Sequence, residues 1–146
     1  MIYQRESEKL ANLLLMEDKD KIIDYLIYLA DKNIFIPVLI DFVQMVKERK
    51  NSQEIEKLKE YIDLSYTPGL RAHVLDDFIR DKLRIQYEIN EIKSKNDLYV
   101  LEQKLFMYKE AEAMLRSPSN TKGSTHAIMK IVEFRGDRVM DQSEEE

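Results

Sequence analysis

The sequence predicts a mainly α protein: an N-terminal helical part, a long central antiparallel helical hairpin, and one C-terminal β-strand that pairs between subunits. Three observations predict it. Only three Gly and three Pro interrupt 146 residues, too few turn residues for a many-stranded fold. Apolar residues recur at three- and four-residue spacing along most of the chain, the period of an amphipathic helix. The exception is residues 126–135, HAIMKIVEFR, where Ile131, Val132 and Phe134 favour an extended backbone, while Ile128-Met129 beside Ile131-Val132 also suits a helical turn.

Residues 6–16 form a short amphipathic helix carrying Leu10, Leu13 and Leu14. Asp18 or Asp20 is placed to cap a second helix over 19–32, whose Ile22, Ile23, Leu26, Ile27 and Leu29 make a broad apolar face. Asn33 ends it, Asn being tolerant of the left-handed backbone that follows a helix. Pro37 opens a third helix, because the first turn has no use for the N–H that Pro lacks. Its apolar side is Val38, Leu39, Phe42, Val43 and Val46. It closes on Lys47-Glu48-Arg49-Lys50, where basic groups complement the helix dipole. Asn51 and Ser52 stop it, and Ser52 starts a fourth helix through Ile55, Leu58 and Ile62 to about Leu64.

The stretch SYTPGL at 65–70 is the clearest boundary. Thr67 caps and Pro68 takes the first position of a long helix over 68–95, about 40 Å at 1.5 Å per residue. Residues 94–97 make a tight connection with Asp97 as cap, and a further helix spans 98–116. A short link between two long helices makes them antiparallel neighbours. Ser117 to Ser124 is a run of turn residues and reads as a linker. Gly136-Asp137 ends the strand, and the acidic residues 143–146 form a disordered tail. The predicted organisation is a helical domain over 1–64 with a DNA-binding role, a helical-hairpin oligomerisation domain over 65–116, and a linker, strand and tail over 117–146.

The hairpin carries more apolar surface than two helices can hide between them. On its first helix Leu75, Phe78, Ile85, Ile89 and Ile92 make one stripe, while Val74, Ile79, Leu83 and Tyr87 spread away from it. On the second, Leu98, Leu101, Leu105, Tyr108 and Leu115 make a seam, and Tyr99, Phe106, Ala113 and Met114 lie off it. Each large side chain left wet forgoes about 1.5–3 kcal/mol. Two remedies are open: the N-terminal helices fold back over the hairpin, or hairpins of neighbouring subunits pack together. The strand bears on the choice. The other β-like stretch, 34–40, is interrupted by Pro37, which removes a ladder donor. The strand is therefore expected to pair with its own copy, as a two-stranded ribbon in a dimer or a small closed barrel in a ring. The oligomerisation candidates are Phe78, Ile85, Ile89, Tyr99, Phe106, Ile128, Ile131, Val132 and Phe134.

Composition narrows the function classes. No Cys is present, which removes disulfides, thiolate metal sites and a Cys nucleophile. Gly69, Gly123 and Gly136 stand alone and no Gly-Lys-Ser/Thr occurs, so no loop cradles phosphate. His73 and His126 lie outside any metal-ligand spacing. The Asp76, Asp77 and Asp81 cluster shares its turns with Arg80 and Lys82 and reads as balanced charge rather than a cation site. No enzyme, cofactor or metal is expected. No apolar run approaches the ~20 residues that span a bilayer, and the N-terminus lacks a signal-peptide core, so a cytoplasmic protein without membrane contact is expected.

A net charge of −5 argues against wholesale polyanion binding but leaves room for a local patch. Residues 19–50 have the order of a helix–turn–helix. The first turn of its second helix holds Val38, Leu39 and Ile40, unsuited to reading bases. Phosphate contact suits Lys47, Arg49 and Lys50 with Lys57 and Lys59 on the next helix. A solvated basic helix end accounts for them equally well in one subunit, but a ring repeats the patch and adds weak contacts.

A helical N-terminal part, a central long hairpin, a polar linker and one β-rich segment together resemble the small terminase subunits of tailed bacteriophages. The local echo is Thr121-Lys122-Gly123 followed by Ile128 to Phe134, similar to the end of the small terminase of T4-type phages. The resemblance implies hairpins assembled into a homo-oligomeric ring with an axial barrel of strands. It further implies a packaging initiator in the host cytoplasm that recognises concatemeric double-stranded viral DNA. Such a protein recruits the large terminase subunit, modulates its ATPase and nuclease, and has no catalytic site. The alternative from the same residues is a helical protein-binding or regulatory module, monomeric or dimeric, without a nucleic-acid role.

Overall fold

The computed structural model describes the backbone of residues 2–49, 53–65, 68–91, 95–116 and 121–145, and the side chains of 2–49, 53–65, 69–91, 95–116 and 122–136. The described residues form seven helices: α1 (Gln4–Met16), α2 (Lys19–Asp31), α3 (Phe35–Glu48), α4 (Gln53–Ser65), α5 (Pro68–Glu91), α6 (Lys95–Leu115) and α7 (Thr121–Glu145). None of them is long and apolar enough to cross a membrane.

Local chemistry sets the joints between the first three helices. Glu17 (φ 55°) and Asn33 (φ 59°) both adopt left-handed backbone, which turns the chain within two or three residues. The Asp18 carboxylate accepts the Lys21 N–H at 3.3 Å and caps α2. The third helix begins at Phe35, two residues before Pro37; Pro37 still falls in the first turn, where its missing N–H costs nothing. Thr67, Lys50, Asn51, Ser52 and 117–120 lie outside the described residues. Asp97 sits within the first turn of α6, where a carboxylate favours the helix dipole.

Helix α3 is the centre of the fold. Phe35, Ile36, Val38, Leu39, Phe42, Val43, Met45 and Val46 are all buried. It touches α1, α2, α4, α5 and α7. On the α1 side the Tyr3 N–H donates to Asp41 Oδ2 at 2.8 Å, and the Ser7 hydroxyl donates to the Val38 carbonyl at 3.2 Å. Leu10, Leu14, Ile22, Leu26, Leu58 and Ile62 of α1, α2 and α4 complete this half of the core. The first turn of α3 is thus interior: Val38 and Leu39 are fully buried and have no surface to present to a base.

The expected β-strand at 126–135 is a helix, the middle of α7. Its Ser124, Thr125, Ile128, Ile131 and Val132 are buried, with Arg135 continuing the same stripe at three- and four-residue spacing. His126, Lys130 and Glu133 point outward. A strand would set Lys130 and Glu133 on opposite faces, so each face would carry a charge among its apolar groups. Coiling gathers His126, Lys130 and Glu133 on one side. The β preference of Ile131, Val132 and Phe134 spans only about 1 kcal/mol on a host scale, and burial of Ile128, Ile131 and Val132 contributes about 1.5–3 kcal/mol each. No edge remains to be paired with another subunit.

This helix packs on α3, α4 and α6. Gln44 Nε2 donates to the Gly136 carbonyl at 3.1 Å, and the Thr125 hydroxyl donates to Asp63 of α4. One hydrophobic cluster therefore draws residues from all three predicted segments, 1–64, 65–116 and 117–146. The N-terminal helices close over α5 through α2 and α3, the first of the two remedies for its apolar surplus.

Replacing Ile131 with Ala is expected to lower stability by about 2–5 kcal/mol, the cost of a core cavity. Lys130→Ala and Glu133→Ala are expected to stay within about 0.5 kcal/mol of the parent chain. Urea midpoints at constant slope read both, and equal costs at 130 and 131 would contradict a helix here.

Candidate interaction surface

Three side-chain groups outside the general core have functional interest: an ionic junction under α7, the basic end of α3, and the outward faces of α5 and α6. The junction lies where α5, α6 and α7 meet. One α5 face buries Val74, Phe78 and Ile85, and helical spacing sets Asp77 and Asp81 at its margin, towards α7. The Arg135 guanidinium reaches Asp77 Oδ1 at 2.6 Å and Asp81 Oδ2 at 3.2 Å. Its Nε donates to the Tyr108 hydroxyl at 2.6 Å, and that hydroxyl donates to Asp81. The Tyr108 ring meets Phe78 edge to face, centroids 5.8 Å apart.

Burial disfavours the charge on Arg135, but Asp77, Tyr108 and Asp81 outweigh it and raise its pKa further. Burial pushes the Tyr108 hydroxyl up; Arg135 opposes this and Asp81 adds to it. Its proton is held, not released. Further along, Lys82 Nζ lies 2.6 Å from Glu112 Oε2 and Arg116 lies 2.8 Å from Glu112 Oε1. The hydrogen bond from Lys82, then that from Arg116, holds the Glu112 carboxyl below its ordinary value of 4.5. These pairs tie three helices together. The sequence balances the α5 carboxylates with cations of the same helix; the structure assigns Arg80 to Asp76 and Arg84 to Asp81, but Asp77 to Arg135 of α7. Nothing in the local pattern around Arg135, read as the end of a strand, signals that partner.

Among the basic candidates, Lys57 pairs with Glu17 at 2.9 Å and Lys59 with Glu56 at 3.2 Å. Glu17 is lowered and Lys57 raised, mainly by their shared hydrogen bond. Lys47 and Arg49 are exposed at the end of α3, and Lys50 lies outside the described residues. Lys57 and Lys59 are thus matched by carboxylates. His73 Nε2 stands 3.6 Å from Asp31, and no group of three potential metal ligands occurs among the described residues.

The nine oligomerisation candidates divide sharply. Phe78, Ile85, Ile128, Ile131 and Val132 are consumed in the core of this chain. Ile89 is half-buried against that core, and Phe134 is half-buried with the Lys104 ammonium 5.9 Å from its ring centre. Tyr99 and Phe106 remain outside, 63% and 57% exposed. Beside them, Val100 on α6 and Leu83 and Tyr87 on α5 are exposed as well. Helices α5 and α6 share the Phe78–Tyr108 and Lys82–Glu112 contacts, and between their far ends runs an open groove of about 430 Å³ lined by Tyr87, Glu88, Glu91, Asp97, Val100 and Leu101 among others. No family model, curated protein or solved structure matches this chain.

Arg135→Met is expected to cost about 2–4 kcal/mol, somewhat less than a fully buried pair because about a fifth of each side chain still meets water. Asp77 would then lose its cation while Asp81 keeps only Arg84, and thermal or urea unfolding reads the loss. Glu112→Gln is expected to cost about 1.5–3 kcal/mol at neutral pH, where a charge-assisted pair is broken. Because the folded Glu112 is depressed below 4.5, its contribution is complete above that value and disappears as pH falls through the folded pKa. The gap between parent and variant in urea melts should therefore narrow below about pH 4.5; a gap independent of pH would contradict the ionic origin.

Proposed function

We propose that this chain is a non-enzymatic helical adaptor that acts through protein–protein contact and associates with copies of itself through the outer faces of α5 and α6. One observation carries this reading. After the core is closed, Leu83, Tyr87, Tyr99, Val100 and Phe106 still stand in water on two adjoining helices. Single exposed apolar residues are ordinary; a set of large ones on one helical pair marks a contact surface. Aromatic residues are well suited to such a role, since they bring large area at low conformational cost.

In its specific form we propose a viral DNA-packaging adaptor, a small terminase subunit that binds double-stranded DNA and recruits the large subunit. Its support is the order of helices and the polar break before residue 121, with Lys47 and Arg49 exposed at the end of α3. An assembly would repeat that pair of cations around its circumference, and many weak phosphate contacts add. The antiparallel hairpin of 68–116 remains its oligomerising unit. The axial barrel of strands leaves this proposal, because residues 126–135 are coiled into the chain's own interior.

Native mass spectrometry together with fluorescence anisotropy on duplex DNA tests both levels. Assemblies larger than a monomer, and DNA affinity that falls steeply with salt, are the expected results. A dimer without DNA affinity at low salt would retain the adaptor and remove the packaging role. A monomer at all concentrations would overturn both.

A further inference from the structure

We infer that two copies of this chain dock through α5 against α5, antiparallel and two-fold symmetric; this rests on the self-association proposed above and names its contact. Arg80, Leu83, Arg84, Tyr87 and Glu91 fall within about 100° of the α5 circumference at 3.6 residues per turn. That arc lies opposite the buried Phe78 and Ile85. It is open to solvent: Leu83 is 56% and Tyr87 68% exposed, and the Arg80 and Arg84 side chains are 61% and 56% exposed.

The arc is also polarised. Its N-terminal half carries Arg80 and Arg84, with Asp76 at its start held by Arg80, and its C-terminal half is acidic, Glu91 with Glu88 at the edge. The arginines pair within their own helix, Arg80 with Asp76 at 3.3 Å and Arg84 with Asp81 at 2.6 Å. Each guanidinium keeps further N–H groups for a second carboxylate. Glu88 and Glu91 make no ion pair among the described residues. A parallel copy would set like charges together. An antiparallel copy sets Arg84 beside Glu88, Arg80 beside Glu91 and Leu83 beside Tyr87 of the second copy, and each contact occurs twice. The three pairings share one two-fold axis near residues 85–86, to within a residue. This is the self-complementarity that an isologous interface requires. The groove between α5 and α6, of which Tyr87, Glu88 and Glu91 form one wall, lies beside the C-terminal half of the seam.

The test uses charge exchange in the full chain. R80E/R84E and E88R/E91R each turn the antiparallel seam into like-charge repulsion, so each alone should dissociate at least about tenfold more readily than the parent. Mixed at equal amounts they should form a one-to-one heterodimer with affinity within about tenfold of the parent, because every charge then meets its opposite. Sedimentation or native mass reads the outcome, and circular dichroism with urea midpoints reports whether each variant is folded. Leu83→Ser/Tyr87→Ser, which removes the apolar centre without touching charge, should also dissociate and provides the test if a charge variant does not fold. Parent self-association with no rescue in the mixture overturns this pairing and leaves association through the α6 face standing. Persistence of assembly in R80E/R84E overturns it likewise, and a monomeric parent overturns it together with the self-association on which it rests.

Discussion

Enclosure of α3 is the constraint from which the rest of the architecture follows. A helix that buries eight apolar side chains over about half its circumference cannot sit on a surface. Helices α1, α2 and α4 cover part of it, and α7 takes another side, where Gly136 comes within van der Waals reach of Ile40 and Gln44. The Gln44 amide satisfies the Gly136 carbonyl there. The C-terminal segment therefore has its partner inside the chain. A strand in the same place would have offered unpaired backbone to the apolar flank of α3, and buried peptide groups without partners are costly.

Ionic contacts then specify how α7 sits. Apolar contact alone is tolerant of sliding by a turn, because Ile, Val and Leu interchange at modest cost. Arg135 is not tolerant: it must stand within reach of Asp77, Asp81 and Tyr108 at once. The pair of carboxylates on one helix and the guanidinium on another define one register, and Tyr108 of α6 joins the third element to it. Lys82 does the same for α5 and α6 through Glu112. Polar groups at this depth add less to net stability than to the uniqueness of the arrangement, the role proposed for them here.

With the core closed and its registers set, what remains outside gains meaning. The interior uses one side of α5 and α6; the other sides keep aromatic and aliphatic groups that no part of the described chain covers. On α5 these groups alternate with arginines and glutamates in an order that reverses onto itself. Of the basic set, in contrast, Lys57 and Lys59 of α4 are matched by Glu17 and Glu56, so the field of the set is weaker than the sequence suggests. Self-contact through α5 and α6 is accordingly the stronger of the two functional readings, and DNA contact the more dependent on assembly.

Helix positions from 6 to 116 were legible in the sequence because their determinants are local: the Asp18 cap, left-handed Asn33, Pro37 and Pro68 in first turns, and apolar spacing between them. Outward Tyr99 and Phe106 were legible for the same reason, since they fall off a seam that periodicity defines. The form of residues 121–136 was not, because Ile128, Ile131 and Val132 suit a strand or a helix about equally by local preference. Their burial against α3, α4 and α6 decided it. The partners of Arg135, Lys57 and Glu112 were equally hidden, being 58, 40 and 30 residues away along the chain. By itself, then, the sequence determined which segments coil and which faces are apolar, as these depend on neighbours within a turn or two. Only the tertiary structure decided which faces meet and which stay wet, because that choice is made by groups that the chain brings together from afar.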